Sequence, residues 1–425
     1  MKNVKKILVL FMLLLVLISF FNFKIYAAEN DLQVDSPVAL LMDSKTGKIL
    51  YEKNIDKKMY PASLTKILTA IIVLEKCDLN ETATVSYDAV MNISYGYLTA
   101  NLQIGEELTV EQLLYVLMVG SSNDAAIVLA EHVSGSVEEF SKLMNEKAKE
   151  LGCTSTNFVN PNGEHDKNHY TTARDLSIIT RYAMQNETFR KIVSTTSYVL
   201  PKTNKYDKED RLFTTTNSLL VFNSNDRDDN YYYKYAIGVK TGFTTPAQNC
   251  LIASANKGDL ELLTVVLGAG ETDDGLSARY KDTIKMFEYG YSNYTFREVI
   301  KAGGIVQTVV INNATRDTKK LDVAIANDVS VLIKMEDRDN ALLPEVHLKE
   351  KLKAPIKAGD VIGTVTYNVE GIDYTEDLLA SNDVKKSNLF LRILLIVVII
   401  ALVRMYLKSN NKKKRKNKLR RRINK

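Results

Sequence analysis

The stretch Tyr60-Pro-Ala-Ser-Leu-Thr-Lys66, continued by Ile67-Leu-Thr-Ala-Ile-Ile-Val-Leu74, decides how the chain is organised. Pro61 and Ser63 are typical of a helix start, because proline fixes φ and a serine hydroxyl can accept from the free N–H groups of a first turn. The residues that follow are apolar on nearly every side, and a helix without a polar stripe is buried. The sequence therefore predicts a central buried helix with Ser63 at its mouth.

Ser63 and Lys66 are three residues apart, so one face of the predicted helix presents both side chains within hydrogen-bonding reach. A serine hydroxyl becomes a nucleophile when a base takes its proton, and a lysine is such a base when burial or a second cation lowers its pKa. The same spacing recurs in 254–257 and 409–412, and serine at a helix start is often only a cap. The pair alone leaves nucleophile and cap as open alternatives.

The two ends of the chain predict targeting and membrane segments. Residues 1–27 combine a basic start, an apolar stretch and a small residue, Ala27, as in a secretory signal peptide; a retained N-terminal anchor is the alternative. Residues 389–407 are predicted to form a transmembrane helix, and residues 408–425 a basic tail. Because basic segments stay inside, we expect a single-pass cell-membrane protein with a cytoplasmic tail and an extracytoplasmic middle.

The net charge of the whole chain is +5, but the residues between the two basic ends are acidic. Residues 1–27 contain four lysines and no acid, and residues 392–425 contain thirteen Lys or Arg and no acid. Without those positive charges, residues 28–391 carry −12. An acidic exported domain is a poor nucleic-acid binder, so no nucleic-acid partner is expected, although a basic tail alone also fits a nucleic-acid patch.

Cysteine and histidine are sparse, with three and four residues respectively. An odd and small number of cysteines does not predict a disulfide framework, and none has a Cys or His neighbour at metal-ligand spacing. Cys77 and Cys250 lie in apolar settings and are predicted to pack in the core. The scattered histidines support neither a His-based triad nor a zinc site, so no metal and no cofactor are expected.

The order of predicted elements is strands, then many helices, then strands. Helix starts are indicated by Thr109 with Gln112, by Ser136 with Glu139 and by 172–175. A hairpin is predicted at 39–51, strands at 235–239, 250–254 and 260–267, and a closing helix at 280–291. This order predicts an α+β fold in which terminal segments share one sheet.

Beyond residue 291 the pattern changes to alternating apolar and polar residues. Residues 321–326, 329–335, 305–311 and 361–367 are strand candidates. We therefore predict a small all-β domain over 292–372, without a catalytic constellation, and a polar, acidic linker over 373–388 that leads to the membrane.

Two further motifs accompany Ser63. Lys240-Thr-Gly242 follows a predicted strand, and a cation and a hydroxyl at a strand edge, with a glycine for close approach, suit the binding of a small carboxylate. Ser121 and Asn123 lie at a break between two predicted buried helices. Lys45-Thr-Gly47 repeats the first motif in a hairpin turn, but only Ser63, Ser121 and Lys240 combine a helix mouth, a helix break and a strand edge in that order.

Together, Ser63-Leu-Thr-Lys66, Ser121-Ser-Asn123 and Lys240-Thr-Gly242 resemble the three signature motifs of the penicillin-binding protein and serine β-lactamase superfamily. Five longer stretches are similar to low-molecular-mass D-alanyl-D-alanine carboxypeptidases: Tyr60-Pro-Ala-Ser-Leu-Thr-Lys66, Ser122-Asn-Asp-Ala-Ala126, Asn157-Phe-Val-Asn-Pro161, Thr172-Ala-Arg-Asp175 and Gly238-Val-Lys-Thr-Gly-Phe-Thr244. The resemblance covers roughly residues 33–370. It implies that residues 28–291 form a β-lactamase/transpeptidase-like catalytic domain, an antiparallel sheet plus a helical subdomain, before the small all-β domain.

The resemblance also implies an activity: a serine-type carboxypeptidase that removes the terminal D-alanine from peptidoglycan stem peptides ending in D-Ala-D-Ala, and that binds β-lactam antibiotics. On this resemblance Ser63 is the acylated nucleophile, Lys66 its base and Ser121 the proton relay to the leaving D-alanine. The implied substrate-binding residues are Asn123, Lys240, Thr241, Gly242 and Phe243, with the backbone N–H groups of Ser63 and Phe243 as the oxyanion hole.

The chain differs from its relatives at two positions near the site. Ser122 stands where family members often have glycine, and Gln248 stands where they often have a small residue. Three other functions remain open. A β-lactamase needs a second base, for which Glu164 is the nearby candidate; a peptidoglycan endopeptidase would use the same residues; and a catalytically silent wall-binding scaffold would use Ser63 only as a cap.

Overall fold

A computed structural model describes residues 32–222, 231–271 and 277–423. The predicted signal peptide, 1–27, lies outside the described residues. In chain order the strands of the first unit are β1 (Val38–Asp43), β2 (Ile49–Lys53), β3 (Thr82–Thr84), β4 (Glu107–Thr109), β5 (Ser197–Leu200), β6 (Arg211–Thr214), β7 (Ala236–Thr244), β8 (Gln248–Lys257) and β9 (Leu260–Ala269). Its helices are α1 (Lys66–Lys76), α2 (Tyr87–Met91), α3 (Val110–Met118), α4 (Asn123–Ser134), α5 (Val137–Glu150), α6 (Ala173–Ala183), α7 (Glu187–Val193) and α8 (Ala278–Asn293).

An antiparallel five-stranded sheet with the order β2-β1-β9-β8-β7 forms the centre of this unit. Successive residues of a strand point to opposite faces, and β1 shows the result: Leu40 packs in one core with α1 and α3, whereas Leu41 packs in the other with α8. Both faces are therefore covered by helices. The predicted α+β arrangement, with N-terminal and later strands in one sheet, is confirmed.

Helix α1 lies in the larger core, and its residues from Lys66 to Val73 are all buried, as the apolar run predicts. It is preceded by a 3₁₀ turn, Ala62–Thr65, that carries Ser63. Neither the turn nor α1 has a side-chain cap. The hydroxyl of Ser63 therefore forms no capping hydrogen bond, and the alternative in which Ser63 is only a helix cap is not supported.

Helix α3 has a capped start and ends at Met118, shortly before Gly120. Thr109 and Gln112 form a reciprocal capping box at the start of α3, as predicted. A Cβ on Gly120 would lie 2.6 Å from the ring of Phe213, so a larger residue does not fit where α3 ends. The chain turns there, and α4 restarts at Asn123.

The second unit is all-β, as predicted. Its strands are β10 (Tyr294–Ile300), β11 (Ile305–Val310), β12 (Lys320–Ile325), β13 (Val329–Lys334), β14 (Glu345–Leu348), β15 (Val361–Val369) and β16 (Ile372–Ala380). β10 pairs with β13, and the other strands form a sheet with the order β11-β12-β16-β15-β14.

The predicted linker, 373–388, is wrong over much of its length. Residues 372–380 form β16, which lies between β12 and β15 in the larger sheet. Leu378, Ala380 and Val384 are buried in the core of the β unit. Exposed polar residues, including Asp373 and Asp377, alternate with the inward-facing ones, so the stretch is polar in composition although one of its faces is largely apolar.

A single long helix, α9 (Leu389–Ile423), follows the β unit. The segment Phe390–Lys418 is long enough to cross a membrane and contains an 18-residue window that is strongly apolar, none of which is buried against the rest of the protein. The predicted apolar helix at 389–407 is therefore present. It continues into the basic tail without a break.

Candidate active site

The predicted site residues meet in one cleft of about 620 Å³ between the β7 edge of the sheet and the helices. Lys66 and Lys240 are buried next to it. The cleft lining contains six of the eight predicted residues, namely Ser63, Ser121, Asn123, Thr241, Gly242 and Phe243.

Ser63 and Lys66 are in direct contact. The Nζ of Lys66 lies 3.0 Å from the Oγ of Ser63, 2.8 Å from the Oδ1 of Asn123 and 2.6 Å from the carbonyl oxygen of Asn162. Lys66 is completely buried, whereas Ser63 is partly exposed to the cleft. The turn and the first residue of α1 thus place a hydroxyl against a desolvated amine.

The pKa of Lys66 is lowered well below its ordinary value. Burial is the main cause, because it penalises the charged form, and the positive charge of Lys240 adds to it. The carboxylates of Asp124 and Glu164 act in the opposite direction but do not reverse the shift. A neutral amine beside Ser63 is the form that can accept a proton.

The partners of Lys66 also orient that amine. A neutral lysine has two N–H donors and one lone pair, and the oxygens of Asn123 and Asn162 are acceptors only. Both N–H groups are therefore directed to these oxygens, at 2.8 and 2.6 Å. In the neutral amine this arrangement leaves the lone pair for the hydroxyl of Ser63, whose Oγ lies 3.0 Å from the Nζ of Lys66.

The helix break brings Ser121 and Asn123 to the opposite wall of the cleft. Ser121 has φ of +58° and is almost buried, a backbone conformation that costs a non-glycine residue about 1–3 kcal/mol. The amide of Asn123 donates to the carbonyl oxygen of Leu98 at 2.8 Å while its oxygen accepts from Lys66. Asn123 therefore connects Lys66 to the backbone of Leu98 in the cleft wall through two hydrogen bonds.

Strand β7 supplies the third wall. Lys240 is buried and donates to the carbonyl oxygen of Thr241 at 3.0 Å; burial, together with the charge of Arg279, lowers the pKa of Lys240 to about 7. A Cβ on Gly242 would lie 3.2 Å from the backbone nitrogen of Ser63. The glycine therefore lets β7 approach the N–H group of the nucleophile.

Two contacts hold the turn that carries Ser63. Gly163, with φ of +84°, touches it so closely that a Cβ there would lie 1.9 Å from the carbonyl oxygen of Ala62. On the inner side, Thr65 donates to the same carbonyl at 2.8 Å and contacts the Nε2 of His169 at 2.8 Å. The Nδ1 of His169 accepts from the N–H of Val159 at 3.1 Å.

These contacts fix the tautomer of His169. Because Nδ1 accepts from a backbone N–H, the ring proton is on Nε2 and is donated to Thr65, whose own hydroxyl proton goes to Ala62. Burial lowers the pKa of His169 to about 4. The neutral ring thus links the loop at Val159 to the turn of the nucleophile.

Sequence reasoning missed other residues of the cleft. Arg279, at the start of α8, and Thr216, whose hydroxyl contacts that of Thr241, both line it, and neither belongs to a local motif. The cleft is also lined by His165 and by the loop residues Tyr95, Gly96, Tyr97 and Leu98. For Arg279, the available signal was its position as a charged residue directly before the predicted helix 280–291.

Glu164, the candidate second base of a β-lactamase, is placed differently. Its carboxylate accepts a hydrogen bond from Ser94, and the residue lines a separate cavity of about 290 Å³ rather than the cleft. Its negative charge acts on Lys66, where it opposes the lowering of the pKa.

Comparison with known proteins agrees with this geometry. Residues 25–271 match the D-alanyl-D-alanine carboxypeptidase family, and residues 294–386 match the C-terminal domain of penicillin-binding protein 5. The second match includes β16, which supports the assignment of that strand to the β unit rather than to a linker. Both folded units thus have relatives of known family.

Individual relatives extend over most of the chain. D-alanyl-D-alanine carboxypeptidase DacF of Bacillus subtilis is 32% identical over 86% of this chain and 90% of its own length. The solved structure of penicillin binding protein 5 from Haemophilus influenzae is 28% identical, with a TM-score of 0.63, over 83% of this chain and 98% of that one. The Streptomyces K15 DD-transpeptidase is 32% identical, with a TM-score of 0.55, over 61% of this chain and 98% of that one.

Each of these relatives shares the first unit, and the first two share the second as well. The motif geometry around Ser63 and the extent of the matches lead to one assignment: the chain belongs to the low-molecular-mass penicillin-binding proteins of the D-alanyl-D-alanine carboxypeptidase family.

Proposed function

We propose that this protein is a serine-type D-Ala-D-Ala carboxypeptidase that removes the terminal D-alanine from peptidoglycan stem peptides through an acyl-enzyme on Ser63. One observation carries the proposal. The amine of Lys66 is buried, contacts two acceptor oxygens and lies 3.0 Å from the Oγ of Ser63. This is the arrangement that activates a serine without histidine.

In the acylation step, Lys66 takes the proton of Ser63 as the Oγ attacks the carbonyl carbon of the penultimate D-alanine. The peptide C–N bond then breaks, and the leaving amine of the terminal D-alanine receives a proton. Ser121 lines the same cleft as Ser63, and we assign to its hydroxyl the transfer of that proton. The N–H groups of Ser63 and Phe243 are assigned to the oxyanion, where fixed donors stabilise developing charge.

The positive charges of the site suit a substrate that ends in a carboxylate. Lys240 is buried at the edge of β7, Arg279 lines the same cleft, and Thr241 offers a hydroxyl. A bound carboxylate would keep Lys240 protonated, because an opposite charge favours the charged form. We therefore assign the C-terminal carboxylate of the stem peptide, or the carboxylate of a β-lactam, to Lys240 and Thr241, with Gly242 allowing the close approach.

In the deacylation step a water molecule attacks the ester, and the hydroxyl of Ser63 is restored. Rapid hydrolysis of a β-lactam adduct requires a second base beside the acyl group. Glu164 is engaged with Ser94 and does not line the cleft, so the geometry favours the carboxypeptidase over a β-lactamase. An endopeptidase would use the same residues and differ only in the group that leaves.

We also propose that α9 anchors the protein in the cell membrane, with both folded units extracytoplasmic and the basic end of the helix cytoplasmic. The length and exposure of Phe390–Lys418 support the span. The excess of Lys and Arg after residue 407 supports the direction. The substrate, a component of the cell wall, lies on the proposed side.

The test is intact-mass analysis of the full chain in detergent after incubation with benzylpenicillin, followed by a D-alanine release assay on peptides ending in D-Ala-D-Ala. We expect a persistent single adduct and release of one D-alanine. Ser63→Ala should abolish both, and the matched control Ser254→Ala, which changes the same spacing on β8, should retain both.

Each other result points to another function. An unmodified protein with hydrolysed drug would mean rapid deacylation and a β-lactamase. An unmodified protein with intact drug, together with no D-alanine release, would refute the enzyme and leave a wall-binding scaffold. A penicillin adduct without D-alanine release, but with cleavage of cross-linked peptides, would indicate an endopeptidase.

A further inference from the structure

Cys77, Glu81 and His132 form a cluster outside the active site. Cys77 follows the last residue of α1, Glu81 lies in the loop before β3, and His132 lies in the last turn of α4. None of the three lines the cleft. The sequence did not predict this cluster, because His132 is more than fifty residues away from the other two and no local spacing connects them.

The donor atoms of the cluster converge. The thiol sulfur, a carboxylate oxygen and a ring nitrogen all lie within 4.8 Å of one another. The Nε2 of His132 is 3.0 Å from one oxygen of Glu81, and the other oxygen of Glu81 accepts from the N–H of Asp78 at 2.7 Å. The carboxylate is therefore held in place before any ion binds.

The three donors are the ligand types that zinc prefers: thiolate, imidazole and carboxylate. Ligand atoms around a tetrahedral zinc are about 3.4 Å apart, as follows from bonds of roughly 2.1 Å. Glu81 and His132 are already closer than that. The Cys77 sulfur lies within 4.8 Å of both of the other donor atoms.

Cys77 differs from the other cysteines of the chain in its accessibility. Cys153 and Cys250 are buried, whereas Cys77 packs against the margin of the larger core and is only partly covered. Glu81 is exposed and His132 is partly exposed, so an ion has direct access from solvent. Three protein ligands leave the fourth position of the ion to water.

We propose that Cys77, Glu81 and His132 bind a divalent cation of the zinc class. The site joins the C-terminal ends of α1 and α4. At their N-terminal ends the same helices carry Lys66 and Asn123, which are hydrogen-bonded to each other at 2.8 Å. The ion would therefore fix the relative position of the two helices that hold the base, about 16 Å from the active site along an eleven-residue helix.

The test uses the full chain in detergent and Co²⁺ as a spectroscopic substitute for Zn²⁺. Thiolate coordination should give a near-ultraviolet charge-transfer band that saturates at one Co²⁺ per chain and disappears when Zn²⁺ is added. Cys77→Ser should abolish the band and His132→Gln should weaken binding at least tenfold. The matched control is His347→Gln. His347 forms a comparable exposed pair with Glu345 at 3.1 Å, but this pair has no neighbouring cysteine, so the substitution should leave Co²⁺ binding unchanged.

A second measurement does not depend on variants. Cys77 of the wild-type chain should react with a maleimide, and Zn²⁺ should protect it, as read from the mass of the peptide that contains it.

Benzylpenicillin acylation of Cys77→Ser reports whether that variant is folded. Absence of the Co²⁺ band in the wild type, a band that survives in folded Cys77→Ser, or alkylation unaffected by Zn²⁺ would each overturn the proposal.

Discussion

His169 makes the stability of the catalytic unit depend on pH. In the folded protein its ring is neutral, accepts from Val159 and donates to Thr65. Protonation would turn the acceptor nitrogen into a donor facing the N–H of Val159, inside a buried site. The perturbation that isolates this effect is His169→Gln, because an amide supplies one acceptor and one donor and does not titrate.

The size of the effect follows from the shift of the pKa. The pKa of His169 falls from 6.5 to about 4, mainly because of burial. The carboxylate of Asp166 opposes the shift without reversing it. Between these two values the unfolded chain binds a proton that the folded chain does not bind, so stability decreases as the pH falls. Linkage gives a loss of about 2 kcal/mol between pH 7 and pH 5.

The assay is urea unfolding followed by circular dichroism at both pH values, for the wild type and for His169→Gln. We expect the wild type to lose about 2 kcal/mol more than the variant on acidification, with the variant less stable or equal at pH 7. His347→Gln, a change at an exposed histidine, should behave like the wild type. If the wild type and His169→Gln lose the same free energy, the buried neutral histidine does not control the acid sensitivity.

Three further substitutions test the packing around the site. Gly163→Ala should abolish penicillin acylation, because its Cβ would overlap the carbonyl oxygen of Ala62 beside the nucleophile; intact mass measures this. Arg211→Met should destabilise the fold by about 3–5 kcal/mol in urea unfolding, because the buried carboxylate of Glu106 would lose its charged partner. Ser122→Ala should raise the free energy of unfolding by about 1 kcal/mol, because it removes a buried hydroxyl without a hydrogen-bond partner.

The controls for these variants share the chemistry of the change but not the environment. Gly152→Ala also places a side chain at positive φ, but it meets nothing within 4 Å and should keep acylation. Arg174→Met removes an exposed ion pair with Asp56 and should cost far less stability than Arg211→Met. Normal acylation of Gly163→Ala, equal losses in the two arginine variants, or a destabilised Ser122→Ala would contradict the respective arguments.

Features that depend on local pattern were predictable from the sequence. The burial of α1 follows from an apolar run that leaves no polar face, and the start of α3 follows from Thr109 and Gln112. The helix break at Ser121 was predicted correctly, whereas Ser63 lies on a 3₁₀ turn before α1 and β7 continues through Lys240 instead of ending before it. Ser63 and Lys66 are three residues apart and in contact, so their spacing in the sequence is enough to predict that contact.

Features that depend on distant segments were not predictable. Lys66 is oriented partly by the carbonyl of Asn162, Ser63 is supported through His169, and Arg279 reaches the cleft from α8. In each case the contact joins residues that are far apart along the chain, and the side chain alone does not reveal its partner. β16 was missed for a different reason, since its composition is polar although one of its faces is buried.

The fold and the chemistry both depend on the apolar run after Lys66. On an amphipathic surface helix, Lys66 would be solvated, with a pKa of about 10.4, and its charged form could not accept a proton from Ser63. Burial lowers that pKa, but a buried amine requires partners. Asn123 and Asn162 supply them and leave the lone pair toward Ser63. A helix that is apolar on all sides is therefore a condition for the base to be neutral.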